Sequence, residues 1–224
     1  MSVDAANSSN RQRRRGKTPD SGFEGHGLEE FAAPPRRIRI VGTSGSGKTT
    51  LAREIAAGLG VAHLELDAVF WDADWQRRDL DEAHGLIRGF VAAHSAGWVA
   101  DGNWTNTLHG LLDPDTPGGA EVVVWIDLPR SVVMRRVIWR TLRRAATREE
   151  LWHGNRERPS SWLRWSPEEN IVRWAWTSCP TVRARMLERI AAGEPIVHLR
   201  GQREVDVWVA GLLRQVSDGR TLDG

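Results

Sequence analysis

Ile38-Arg39-Ile40-Val41-Gly42-Thr43-Ser44-Gly45-Ser46-Gly47-Lys48-Thr49-Thr50 decides the fold. A short strand-forming run leads into G-x-x-x-x-G-K-[ST], the spelling of a phosphate loop. A chain that folds around phosphate oxygens must turn several backbone N–H groups inward, and glycine permits both the backbone angles and the close approach. Lys48 is expected to reach the β- and γ-phosphates. Thr49 opens the next helix, where its hydroxyl can ligate Mg²⁺ and the N-terminal dipole favours negative charge. Leu51, Ile55 and Leu59, at four-residue spacing, give a helix over 50–59 a buried face. The candidate ATP contacts are therefore Gly42, Thr43, Ser44, Gly45, Ser46, Gly47, Lys48, Thr49 and Thr50. Lys17 and Lys48 are the only lysines, so the Asn-Lys-x-Asp signature of guanine recognition cannot occur, which argues against a GTPase switch.

Working outward, strands are expected at 37–41, 61–66, 98–103, 121–126 and 195–199. Helices are expected at 80–94, 131–144, 167–176, 180–192 and 204–216. Alternating strands and helices in a chain of 224 residues indicate a single α/β domain with a sizeable core. The right-handed crossover rule puts the strands on either side of the phosphate-loop helix in one parallel sheet. Pro167 and Pro180 stand where N1 prolines open helices. The chain divides into a disordered basic tail over 1–35, a domain over 36–218 and a C-terminal tail over 219–224.

The net charge of +2 resides in the first 37 residues, with seven Arg/Lys against five Asp/Glu; residues 38–224 balance at 24 against 24. Overall basicity therefore says little about nucleic acid. Arg11-Gln12-Arg13-Arg14-Arg15 has the composition to meet nucleic acid or anionic lipid, but a solvated tail explains it as well. No apolar stretch follows the basic residues and none is long enough to span a membrane, so a cytoplasmic location without membrane attachment is expected. Cys179 is the single cysteine, which excludes an intrachain disulfide and a Cys-based metal site.

Open α/β sheets bind ligands at the carboxyl ends of their strands. Asp67 follows the second strand there and is a candidate to orient or deprotonate an acceptor hydroxyl, with Arg77 or Arg78 for an anionic group on the acceptor and Asn103 beside them. Two strand-end aspartates compete for the second Mg²⁺-shell position beside Thr49: Asp101, which is preferred, and Asp127. From Arg130 to Trp165 there are ten arginines against three acidic residues. That imbalance suits an Arg/Trp-rich helical lid over polyphosphate, at about 130–165, in which Arg136 and Arg140 share one helix face. Trp139, Trp152, Trp162 and Trp165 in the same tract allow a second use, as a stacking surface for nucleic acid.

The order of motifs resembles the adenylate-kinase-like P-loop proteins, the nucleotide and small-molecule kinases. The likeness rests on the phosphate loop, Val99-Ala100-Asp101-Gly102, Trp125-Ile126-Asp127-Leu128-Pro129, and Arg136 with Arg140. Leu66-Asp67, Phe70-Trp71, Trp75, Arg77-Arg78, Asp101-Gly102-Asn103-Trp104 and Leu151-Trp152-His153-Gly154-Asn155-Arg156 further resemble a group labelled DNA topology modulation proteins. The resemblance spans roughly residues 38–210. It implies a three-layer P-loop NTPase fold with a five-stranded parallel sheet, of the nucleoside/nucleotide kinase type. It also implies transfer of the γ-phosphoryl group of Mg·ATP to a small-molecule acceptor, with Lys48, Arg136, Arg140 and Asp67 catalytic. Asp101-Gly102 is followed by Asn103-Trp104 and not by Phe-Pro-Arg, which removes the arginine expected for AMP. The other class to weigh is an ATP-controlled nucleic-acid-binding ATPase with no small acceptor.

Overall fold

A computed structural model of the chain describes residues 27–156 and 171–222. The run that delivers the phosphate loop is β1 (Arg37–Gly42), the middle strand of a five-stranded parallel sheet. On one side lie β3 (Trp98–Asp101) and then β2 (Ala62–Glu65); on the other lie β4 (Val122–Ile126) and then β5 (Ile196–Leu199). The order β2-β3-β1-β4-β5 makes β1 the point where the chain switches from one half of the sheet to the other. Loops leaving β1, β3 and β4 diverge there and leave a crevice.

Strand alternation sorts the core into two faces. Ile38, Ile40, Val122, Val124 and Ile126 pack with α1 (Lys48–Leu59), α5 (Arg130–Thr147) and α7 (Gln202–Leu222). The opposite face packs in two clusters. Trp98 and Ala100 meet α2 (Leu66–Phe70), α3 (Leu80–Ala93) and α4 (Thr105–Leu108), while Val41, Val123, Trp125 and Ile196 meet α6 (Ile171–Ala191). Helices on both faces of a parallel sheet that carries a G-x-x-x-x-G-K-[ST] loop after its central strand make this a three-layer P-loop nucleotide-kinase fold. Among the described residues, no helix is long and apolar enough to cross a membrane.

Several elements differ from their sequence expectation for physical reasons. The second strand ends at Glu65 because Leu66, Val69 and Phe70 bury at i, i+3 and i+4, so the chain turns helical and Asp67 sits in the first turn of α2. Within the expected tail, Leu28 and Phe31 pack on the main core. The last helix continues past Val216 to Leu222. Arg39, embedded in an apolar strand, is fully buried and donates to Asp113 (2.8 Å) and Thr105 (3.0 Å); Arg189 of α6 also reaches Asp113 (3.0 Å). Burial lowers the Arg39 pKa to about 10 against the pull of Asp113. The expected start at Pro167, the Arg11–Arg15 run, Trp162 and Trp165 lie outside the described residues.

Pro180 does not open a helix; it lies inside α6. A proline there leaves the carbonyl four residues earlier, on Trp176, without its helical N–H. Arg130, the first residue of α5, supplies the missing donor: its Nη2 donates to Trp176 O, and its guanidinium carbon lies 3.3 Å from the centroid of the Trp176 ring. A tertiary contact thus keeps α6 continuous. Arg130→Ala is expected to destabilise the fold by about 1–3 kcal/mol. The loss should shrink in a Pro180→Ala background, where the N–H is restored; a urea-unfolding double-mutant cycle measures the difference.

Candidate functional site

The phosphate loop owes its shape to glycines and to the helix that crosses it. Gly45 has φ +84°, and a Cβ there would lie 2.5 Å from Val137 Cγ2 and 3.0 Å from Val133 O, both on α5. Gly47, at φ +99°, turns the chain into α1. Ser46 N–H closes the loop onto Thr43 O at 3.1 Å, and Lys48 Nζ donates to the same carbonyl at 3.2 Å. The Ser46 hydroxyl is buried without a hydrogen-bond partner.

Asp101, 1% exposed at the end of β3, accepts from the Thr49 hydroxyl at 2.7 Å through Oδ2. Its Oδ1 lies 2.7 Å from His63 Nε2 on β2. Asn103 accepts the Gly42 N–H at 3.1 Å, so the turn after β3 holds the start of the loop. Asp127, at the end of β4, is engaged elsewhere: His198 Nε2 lies 3.0 Å away and Arg183 Nη1 3.2 Å away. The structure therefore joins Asp101, and not Asp127, to Thr49.

The arginines of α5 divide by helix face. Arg140 Nη2 donates to Ser44 Oγ at 2.9 Å, while Arg136 donates to Ser46 O at 3.4 Å and to Gln202 at 2.9 Å. Arg143 and Arg144 pair with Glu149. Val133 and Val137 on the same helix are fully buried. The first part of the expected lid is consequently a fixed wall against the loop.

In the first turn of α2, Asp67 Oδ1 accepts the Trp104 indole N–H at 2.7 Å. Burial raises the Asp67 pKa; Lys48 and the Trp104 hydrogen bond oppose it, and Asp101 adds to it. Burial also lowers the Lys48 pKa against the attraction of Asp67 and Asp101. Glu65, which pairs with Arg53 at 3.1 Å, has its pKa raised by burial and by Asp101, against the opposing influence of Arg53 and the Trp152 indole. Arg77 is exposed, with its guanidinium carbon 5.5 Å from the ring centroids of both Trp71 and Trp104. Arg78 is committed to Val69 O (2.9 Å), Glu82 (2.7 Å) and Asp72 (3.6 Å), and ties α2 to α3. Of the two candidate acceptor arginines, Arg77 alone presents its charge outward.

No protein-family model matches the chain. The uncharacterized protein YqaC of Bacillus subtilis (strain 168) is 25% identical over 136 residues, covering 58% of this chain and 71% of that protein. Shikimate kinase from Acinetobacter baumannii, solved in complex with shikimate, has 15% identity and a TM-score of 0.48 over 82% of this chain and 94% of its own. A gluconokinase from Sinorhizobium meliloti 1021 has 17% identity and a TM-score of 0.43 over 83% of this chain and 94% of its own.

Sequence reasoning missed His63, whose pairing with Asp101 depends on β2 lying next to β3. It also missed the use of Asn103 as a support for the loop. Because the folded state holds the Asp67 proton more tightly than the unfolded chain, stability contributed by this group falls as pH rises from its ordinary 3.8 through the raised value. Asp67→Asn should therefore increase stability at pH 7 and flatten the slope above pH 4. Glu65 acts in the same direction and leaves a residual slope. Urea midpoints from pH 4 to 8 check both.

Proposed function

We propose that the protein is an ATP-dependent phosphotransferase that passes the γ-phosphoryl group of Mg·ATP to a hydroxyl of a small acceptor, whether nucleotide, nucleoside or other metabolite. The observation that carries this is the convergence on the phosphate loop of Asp101, bonded to the Thr49 hydroxyl at 2.7 Å, and of Arg136 and Arg140, bonded to Ser46 O and Ser44 Oγ. Phosphoryl transfer asks a protein mainly for positioning and charge stabilisation. The loop amides and Lys48 would hold the β- and γ-phosphates. The left-handed glycines at 45 and 47, and the buried hydroxyl of Ser46, fit a cradle for phosphate oxygens.

Thr49 and Asp101 fit Mg²⁺, which is commonly held by one or two protein oxygens together with substrate phosphates and waters. When bound, it would neutralise charge on the transferring group. Arg136 and Arg140, already against the loop, would stabilise charge on the equatorial oxygens. Asp67 would orient the acceptor hydroxyl and take its proton, a task suited by a pKa raised above the ordinary carboxylate value. Arg77 would bind an anionic group on the acceptor. Arg78 and Asn103 would support the site from behind. A cytoplasmic location, where ATP is supplied, goes with this reading.

One observation favours the nucleic-acid alternative. Trp139 is 70% exposed on α5 beside exposed Ile138 and Leu142, with Arg135 and Arg143 on the same exposed side. ADP release from Mg·ATP, with and without pools of nucleoside monophosphates, nucleosides and small hydroxy or sugar metabolites, separates the two. Stimulation by one pool is expected; stimulation by single-stranded DNA or RNA alone would support the alternative. Lys48→Ala should abolish turnover, and Arg136→Ala or Arg140→Ala should lower it by on the order of 100-fold. Normal rates in both arginine variants would remove them from the site.

A further inference from the structure

Two short turns of the same build face each other beside Asp67. In the first, Trp71 and Arg77 form an isolated antiparallel bridge, Asp72 N–H donates to Gln76 O (2.8 Å), and Gln76 N–H donates to Ala73 O (3.2 Å). In the second, Glu150 and Arg156 form the bridge, Leu151 N–H donates to Asn155 O (2.7 Å), and Asn155 N–H donates to Trp152 O (3.2 Å). Asp74 and Trp75 take φ of 56° and 58° in the first turn; His153 and Gly154 take 55° and 79° at the matching places in the second. Non-glycine residues persist in that region only where their surroundings over-determine them.

What over-determines each turn is the other. Asn155 is 4% exposed, and its Oδ1 accepts the Trp75 N–H at 2.9 Å. Its Nδ2 donates to Asp72 O (2.8 Å) in the first turn and to Trp152 O (2.9 Å) in its own. Trp75 Nε1 donates to Arg156 O at 3.3 Å, His153 Nε2 lies 2.8 Å from Ala68 O, and the Trp75 and Trp152 rings meet edge to face at 6.2 Å.

The two turns belong to different parts of the site. The first follows Asp67 on the acceptor side; the second follows α5, whose arginines touch the phosphate loop. We propose that Asn155 is a positioning residue: by joining the two turns it holds Trp75 against Trp152, and the closed seam keeps water from the phosphoryl group while the acceptor hydroxyl is admitted. This rests on the phosphotransferase function proposed above. Joining the α5 side to the acceptor side makes the site one body, and excluding water from it suppresses transfer to water.

Acceptor-free ATP hydrolysis, with water as the acceptor, reads the seam directly. Asn155→Ala removes all three Asn155 side-chain bonds at the junction, and Asn155→Asp removes both donated bonds while keeping the acceptor. Trp75→Phe loses the bond to Arg156 O and part of the ring contact with Trp152 but keeps the Asn155 bonds, so it serves where the Asn155 variants fail to fold. Hydrolysis is expected to rise at least fivefold in the Asn155 variants and by less in Trp75→Phe. The Kd for a fluorescent ADP analogue should stay within twofold of wild type, and the rise should vanish when Lys48→Ala is added. A purely structural role would lower the unfolding midpoint and leave hydrolysis unchanged or reduced at temperatures where the variant is folded. Unchanged or reduced hydrolysis in folded variants that still bind the analogue overturns the seam alone. Wild-type protein that binds no nucleotide overturns the phosphotransferase function and the seam with it.

Discussion

The 2.7 Å hydrogen bond from the Thr49 hydroxyl to Asp101 is the constraint on which the site depends. It ties the first turn of α1 to the end of β3, and it can form only if β3 lies next to β1. That adjacency follows from the β2-β3-β1-β4-β5 order, in which the chain returns to pair on the near side of β1 after the α3 crossover. Asn103 repeats the connection two residues later by taking the Gly42 N–H. From the opposite side α5 lies on Gly45, and Arg136 and Arg140 reach the loop from it. The loop is thereby gripped by α5 and the end of β3, and its shape is fixed by contacts within the protein. Preorganisation of that kind is what electrostatic stabilisation of a transferring phosphoryl group requires.

The region around Asp67, proposed above to receive the acceptor, is built at some cost to stability. Asp67 and Glu65 are carboxylates pushed toward neutrality by burial, and Asp101 worsens both. Each is offset in part: Asp67 accepts the Trp104 indole N–H, and the Trp152 indole lowers the Glu65 pKa against the rise. An indole suits this work because it donates one hydrogen bond, cannot ionise, and brings a large apolar face that packs with Phe70, Trp71 and Trp75. The tryptophan richness of the chain, with no tyrosine at all, finds part of its explanation there: a phenol could accept as well as donate beside a carboxylate.

Features governed by local physics were legible in the sequence. The phosphate loop is one, because its spelling is the geometry of a backbone nest. The β4 strand is another, because five consecutive apolar residues buried on both faces leave few alternatives. Features governed by tertiary neighbours were not. Asp101 and Asp127 are the same object in sequence, an aspartate at a strand end, and differ only in that one meets Thr49 and the other His198 and Arg183. Pro180 obeys the rule for a helix start, and the rule yields because Arg130, fifty residues earlier, donates to the carbonyl that proline leaves open. Asn155 carried no signal beyond its place in a motif; its function is written in the backbone of a turn that lies elsewhere in the chain.

The most direct measurement follows the γ-phosphoryl group itself. Wild-type protein and Lys48→Ala would each be incubated with Mg·ATP labelled at the γ-phosphorus and a pool of small metabolites, and the products separated. Label appearing in a small organic phosphate with the wild-type protein, and absent with Lys48→Ala, is the expected result. Label recovered only as inorganic phosphate across every metabolite pool would contradict transfer to a small acceptor.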